Sequence, residues 1–277
     1  MNRPPYLIDI PADEYHAATK RNEYTTSHRL NLYRRCPKLY KKTIDGEIVE
    51  GDTATFLLGR ATHTLILEGA EAFKAEYMVS DGPSNPKTGK PYGKTALAYI
   101  NWAAVQEKPV ISSEDFGLIE TMGEAVRAHE VAAELLSDGV AEATVRVSWN
   151  GEPVQARIDW LDTDRGIICD LKTCDDLDKF RYNIRDFGYV TQMAFYAHAL
   201  ELAGYAGPRL KAYLIAVEKR EPYRVGVFEI SAPTLDDGNF ASPGAKYGAG
   251  NDFLINALKN SRQTDFWPTL FEGVQLI

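Results

Sequence analysis

The stretch from Val154 to Lys172, VQARIDWLDTDRGIICDLK, limits what this chain can fold into more than any other. It predicts two short strands, VQARIDWL and GIICDLK, joined by a polar turn over 162–166. Each strand carries an acid inside an apolar run, Asp159 in the first and Asp170 in the second. Lys172 follows Asp170 at a spacing of two, which puts both side chains on one face of an extended strand. Two carboxylates and an ammonium beside a sheet are costly to bury without a counter-charge. A divalent cation supplies one, and Mg²⁺ in particular is held by one or two carboxylates together with a substrate phosphate. A lysine at such a site would orient or deprotonate a metal-bound water, which is phosphodiester-cleaving chemistry in outline. An isolated D-x-K is more often a solvated face or a surface ion pair, so the rest of the chain has to decide.

Composition narrows the field. At 277 residues, with 44% hydrophobic and 25% charged residues, the chain has the make-up of a soluble globular enzyme. No stretch reaches the apolar length a membrane span needs, and the first residues lack the apolar core of a secretory signal. Three cysteines, Cys36, Cys169 and Cys174, are too few and too scattered for a disulfide framework, so a reducing cytoplasmic setting is expected. A net charge of −8 argues against a protein coated in positive potential. Yet Lys20, Arg21, Arg29, Arg34, Arg35, Lys38, Lys41 and Lys42 crowd one segment against Glu23 alone, a candidate phosphate-contacting patch or else a solvated helix face.

Along the chain, residues 1–25 read as an irregular arm, followed by a helix capped by Ser27 and stopped at Pro37. A helix is expected at about 53–68 and a long Gly/Pro-rich loop over 80–95, with further helices near 95–107 and 114–137. Five strand-like runs follow, AEATVRVSW, VQARIDWL, GIICDLKT, RLKAYLIAVE and YRVGVFEIS, with a helix at about 187–203 between the third and fourth. From Asp236 a Gly/Pro-rich loop leads to a helix near 250–260. The expected architecture is α/β (α+β), a central mixed sheet flanked by helices in one domain. Its parts are a mainly helical 1–137, a sheet core over 138–235 and a C-terminal extension over 236–277.

Further residues fall into order around the acid pair. Gly59-Arg60-Ala61-Thr62-His63 lies on the 53–68 helix, Glu142 stands at a strand start, and Gln192 and Tyr196 share one helix face at i and i+4. Singly each is ordinary: a lone histidine on a helix is more often packed than ligating. Together the succession G-x-x-x-H, E, R-I-D, D-L-K, Q-x-x-x-Y resembles the RecB-type branch of the PD-(D/E)XK nuclease superfamily. The likeness is greater to its RecE group, the nuclease domain of exodeoxyribonuclease VIII and its phage relatives. Tyr15-His16, Ser27-His28-Arg29-Leu30 and Arg35-Cys36-Pro37-Lys38-Leu39-Tyr40 add to it. Two departures stand out: Ile158 replaces the superfamily's loosely kept proline, and Asp170 stands where many members have Glu.

The resemblance implies a restriction-endonuclease-like core and a Mg²⁺-dependent nuclease, with Mn²⁺ also accepted. Asp159, Asp170, the Leu171 backbone carbonyl, His63 and Glu142 would form the metal shell. Lys172 would position water, and Gln192 and Tyr196 would brace the lysine or the scissile strand. Arg29, Arg34, Arg35, Lys38, Lys41, Lys42 and Arg60 would contact DNA. Some RecB-type nucleases hold an iron–sulfur cluster on four cysteines; three cysteines cannot supply it, so no cluster is expected. The resemblance further implies 5′ to 3′ digestion of double-stranded DNA from its ends in recombination, a ring-shaped homo-oligomer such as a tetramer, and a single-strand annealing partner. Three other readings carry the same residues or fold: an endonucleolytic or flap-cutting nuclease, a non-catalytic DNA-binding scaffold, and an enzyme acting on a small phosphorylated molecule. The last is disfavoured because no G-x-x-x-x-G-K loop is present.

Overall fold

A computed structural model describes residues 4–48, 51, 53–244, 246 and 248–270. In chain order the elements are α1 (Ala12–Lys20), α2 (Ser27–Arg35), α3 (Pro37–Ile44) and α4 (Ala54–His63), which runs into a π-helical turn at Thr64–Glu68. Next come α5 (Ala70–Glu76), β1 (Met78–Val79), α6 (Leu97–Ala103), β2 (Val110–Ile111), α7 (Ser113–Ala128) and α8 (Glu130–Leu135). The sheet region follows with β3 (Val140–Trp149), β4 (Glu152–Asp162), β5 (Ile167–Cys174), α9 (Leu177–Asp186), α10 (Tyr189–Leu202), β6 (Lys211–Glu218) and β7 (Val225–Ile230). Last are α11 (Ala232–Phe240) and α12 (Asn251–Thr264).

The five expected strands form one sheet in the order β3-β4-β5-β6-β7. All neighbours are antiparallel except β5 and β6, which run parallel and are joined by the crossover through α9 and α10. One face packs Ile158, Ile168 and Leu214 against Tyr33, Phe195, Leu200 and Leu258 of α2, α10 and α12. The other packs Cys169, Leu171, Ile215 and Val217 against Ala61, Ile119, Met122 and Leu135 of α4, α7 and α8. Each fully buried large aliphatic or aromatic side chain contributes about 1.5–3 kcal/mol, so the sheet is the common wall of both cores. Among the described residues no helix is long and apolar enough to cross a membrane.

Several expectations are corrected. The arm 1–25 contains α1, which buries only Tyr15 and Ala18 and so shows little apolar periodicity. Thr26, not Ser27, caps α2, its hydroxyl accepting from the Arg29 N–H. The 114–137 helix is broken at His129, whose extended backbone and Nδ1 cap start α8. A helix not expected from the sequence, α9, precedes the 187–203 helix and buries Phe180 alone, and only the start of the expected loop from Asp236 is helical, closing α11, which Ser231 caps. Cys36 is more than an apolar filler, because its sulfur caps α3 by accepting from the Leu39 N–H.

Arg34 also departs from its expected place on a DNA-facing surface. Its guanidinium donates to Thr191 Oγ1 at 2.6 Å, Asn31 Oδ1 at 3.1 Å and Asn251 Oδ1 at 3.3 Å, tying α2 to α10 and α12. Burial lowers its pKa to about 10. Arg34→Ala is therefore expected to cost about 1–3 kcal/mol by leaving buried acceptors unpaired. Arg35→Ala, at an exposed position, should stay within about 0.5 kcal/mol. Denaturant unfolding of the two variants checks this, and equal midpoints would return Arg34 to the surface patch.

Candidate active site

The site begins with a break in the β3–β4 hairpin. Ala143 pairs with Ile158, and both face the α10 core; Ala141 pairs with Trp160, and both pack against the α7 core. Residues two apart on a regular strand share a face. Both strands therefore turn over between those pairs, at Glu142 and Asp159. Glu142 takes the left-handed conformation, φ +53°, which costs on the order of 1–3 kcal/mol for a side chain of this kind.

The break has a second consequence. β4 and β5 pair only from Trp160↔Cys169 to Asp162↔Ile167, and beyond that the strands part. Into the gap goes the Asp159 carboxylate, whose Oδ2 accepts from the Leu171 N–H at 3.0 Å. The last residue of α4, His63, brings its Nδ1 to 3.4 Å from the same oxygen.

Asp170 is fully buried, and Lys172 Nζ forms an ion pair with its Oδ2 at 2.5 Å. Neither Asp170 oxygen has a hydrogen-bond partner. The lysine is held from the other side by the Tyr189 ring, 4.8 Å from Nζ to the centroid. Gln192 Nε2 donates to the Tyr196 hydroxyl at 2.8 Å, so the expected shared face exists. Their expected support of Lys172 falls instead to Tyr189. Opposite Asp159, Glu142 pairs with Arg157 Nε.

The electrostatics are those of a site with too much negative charge for its surroundings. Burial, then the charge of Asp170, holds the Asp159 carboxyl well above the ordinary range. Glu142 is raised by burial and by Asp159, against the pull of Arg157. Burial and Lys172 keep the His63 imidazole neutral by lowering its pKa. For Lys172, burial acts to lower the pKa, but Asp170 and Asp159 outweigh it and the ammonium is retained. Two unsatisfied, fully buried carboxylate oxygens, a second acid that resists ionisation and a neutral imidazole together fit a divalent cation. No three His, Cys, Asp or Glu side chains among the described residues already surround one point.

A cleft of about 720 Å³ adjoins the site, lined in part by Asp9, Asp13, Glu68, Glu76, Glu142 and Arg157. A larger depression of about 810 Å³, lined by Phe73, Tyr77, Val105 and Phe116, contains none of the candidate catalytic residues. Of the expected DNA contacts, Arg35, Lys38 and Arg60 are exposed and Arg29 is half-buried. Lys41 is paired with Asp45 at 2.6 Å and Lys42 with Glu47 at 2.7 Å, so the basic segment is less positive than its own sequence implies. Arg157 enters the sequence reading only as the first residue of R-I-D, with no role, and Tyr189 does not enter it. Their signals were an arginine two residues before Asp159 on the same strand and a tyrosine one helical turn before Gln192.

The family model for the "PDDEXK-like domain of unknown function (DUF3799)" matches residues 27–243, and the chain belongs to that family. That family is PD-(D/E)XK-like by its description, and the match does not single out the RecE group. The chain is also similar to the crystal structure of a "Putative exonuclease" from Eubacterium rectale, with a TM-score of 0.65 and 13% identity over 98% of this chain and 96% of that one. At that identity the likeness concerns the fold. A second structure, SSO0001, reaches a TM-score of 0.29 with 15% identity over 59% of this chain and 70% of that one, too little to carry an argument. No curated protein matches the chain in sequence.

The raised Asp159 gives a signed pH dependence. A carboxyl whose folded pKa lies above its unfolded value of about 4 destabilises the fold increasingly as pH rises past that value. In metal-free protein Asp159→Asn should therefore melt higher than the parent, with an advantage that is small near pH 4 and grows towards neutrality. The Asn oxygen can still accept from Leu171. An advantage independent of pH in thermal scans would contradict the assignment.

Proposed function

We propose that this chain is a metal-dependent nuclease that hydrolyses DNA phosphodiester bonds, and within that class an exonuclease acting 5′ to 3′ on linear duplex. The observation that carries the reading is the gap between β4 and β5. There Asp159, Asp170 and Lys172 meet, with the Asp170 oxygens unsatisfied although completely buried. Family membership supports the same chemistry, and the name of the E. rectale neighbour supports the exonuclease part of it.

Asp159 and Asp170 would hold Mg²⁺, joined by the Leu171 carbonyl and, beyond it, His63 and Glu142. A residue's N–H and C=O point the same way in a strand, so Leu171, which gives its N–H to Asp159, presents its carbonyl to the same gap. The nitrogen of His63 suits Mn²⁺ better than Mg²⁺. The bound cation would make a nucleophile available at neutral pH and stabilise charge on the phosphate.

The side chains do the rest. Lys172, kept cationic by the acids and seated against Tyr189, orients the attacking water and offsets charge growing on the phosphoryl oxygens. Gln192 and Tyr196 form a braced pair beside Asp170 and line the strand's path. Arg29, Arg35, Lys38 and Arg60 give contacts to DNA phosphates without sequence preference, and Lys41 and Lys42 add to them when released from their carboxylates. A ring-shaped homo-oligomer enclosing duplex ends, working beside a single-strand annealing protein in recombination, completes the proposal.

Two experiments test it. Cleavage should need added Mg²⁺ or Mn²⁺ and stop with EDTA. Lys172→Ala should lose at least about 100-fold in rate, the usual scale for a transition-state donor, while calorimetric Mg²⁺ affinity stays within a few-fold. Cleavage undiminished by EDTA would remove the metal from the mechanism. The end requirement is tested with linear duplex labelled separately at its 5′ and 3′ termini, next to the same sequence as a closed circle. Early release of the 5′ label with the circle intact is expected. Linearisation of the circle at a comparable rate would leave the hydrolytic chemistry and overturn the exonuclease assignment.

A further inference from the structure

Between α9 and α10 the chain turns at Phe187, Gly188 and Tyr189, and this turn is held from several directions. The Phe187 N–H donates to the Asn183 carbonyl at 2.9 Å, and its own carbonyl accepts from Asn31 Nδ2 of α2 at 3.2 Å. Gly188 has φ +72°, and a Cβ there would stand 2.8 Å from Asn31 Oδ1, so the turn and α2 are locked together through a position only glycine fills easily. Tyr189 lies against Lys172, and the Phe187 ring lies against Tyr189 with centroids 5.8 Å apart at 46°.

Phe187 itself is 57% exposed and packs into neither core cluster. A lone exposed aromatic is ordinary and usually means nothing. Two features set this one apart. Its backbone is fixed, so the ring is presented at little further entropic cost. It is also the outer end of a contact chain whose inner end is the candidate catalytic lysine. Exposed guanidinium groups lie on both elements that meet at the turn, Arg35 on α2 and Arg181 and Arg185 on α9. Among the described residues Arg185 pairs with Asp186 at 3.4 Å, a solvent-exposed contact that salt or a phosphate readily displaces.

We propose that Phe187 is a nucleobase-stacking residue. It takes the face of an unpaired base in the strand whose phosphate lies at Lys172, while flanking arginines meet that strand's backbone. The proposal rests on the nuclease reading. A base inside duplex has both faces covered, so the ligand class is a single-stranded or frayed DNA end. Stacking on an aromatic ring is tolerant of sequence because every base has a π-face, which suits a processive or non-specific nuclease. Tyr189 is the poorer candidate, since Lys172 sits over its ring and Phe180 and Phe187 both pack against it, with centroids 5.9 and 5.8 Å away.

The test uses the full chain carrying Asp170→Asn, to prevent hydrolysis, and a duplex whose frayed terminus holds 2-aminopurine. The parent should quench the probe on binding. Phe187→Ala should lose the quench and weaken binding roughly 5- to 150-fold, the range for one base–aromatic stack. Phe187→Tyr should keep both. Tyr182→Ala, which removes a 72% exposed ring elsewhere on α9, should change neither. Quench and affinity unchanged in Phe187→Ala, or lost equally in Phe187→Ala and Phe187→Tyr, would overturn the stacking role. The chain without Asp170→Asn, assayed for cleavage in parallel, separates the two failures. If it cleaves DNA while Phe187→Ala binds normally, only the stacking role falls. If it neither binds nor cleaves DNA, the nuclease reading falls and the stacking role with it.

Discussion

One hydrogen bond organises this molecule: the Asp159 carboxylate accepting from the Leu171 N–H in place of a strand partner. A backbone N–H in a sheet interior must be paired. Here β4 has turned away from β5, and a side chain from the departing strand takes over. The substitution fixes the carboxylate within reach of His63 and leaves the neighbouring Leu171 carbonyl facing the same gap. The left-handed Glu142 across the hairpin lets both strands change faces at that point. Ladder, kink and acid are thus one feature, and moving any of them would displace the others.

The same feature explains why the site is poorly compensated. Asp170 is completely buried with neither oxygen in a hydrogen bond, and Glu142 and Asp159 are both held above their ordinary range. Lys172 and Arg157 answer part of this charge, and each is itself committed, the lysine between Asp170 and Tyr189 and the arginine to Glu142. A fold selected for stability alone would replace such acids by apolar residues of similar size. Their retention at the centre of an otherwise well-packed sheet is intelligible if a cation and a phosphate complete the balance.

The N-terminal basic segment is less positive in the fold than its sequence charge, for a physical reason. Charge counted along a chain ignores which side chains turn inwards and which meet carboxylates just past the window. Arg34 serves as a tie between three helices, and Asp45 and Glu47 take up Lys41 and Lys42. Arg35 stays on the surface, and the same helix, α2, meets the α9–α10 turn through Asn31. That route from the basic helix to the candidate catalytic lysine is invisible in sequence, because α9 buries one aromatic residue and offers little apolar periodicity.

By itself the sequence determined the five strands, their alternation and β-branched richness leaving little choice, and it set Asp170 and Lys172 on one of them. The Asp170–Lys172 spacing put both on one face whatever the rest of the chain did, since a strand repeats every two residues. Only the tertiary structure decided that Asp159 joins them. Strict alternation would have turned it to the opposite face from Ile158 and away from Asp170, and nothing local in R-I-D-W-L marks the place where both strands turn over. Nor could local pattern reveal Tyr189 as the seat of Lys172, Arg157 as the partner of Glu142, or Phe187 as an exposed ring at the site's edge. Those relations join residues far apart in the chain, and they exist because two helical layers close on the sheet from opposite sides.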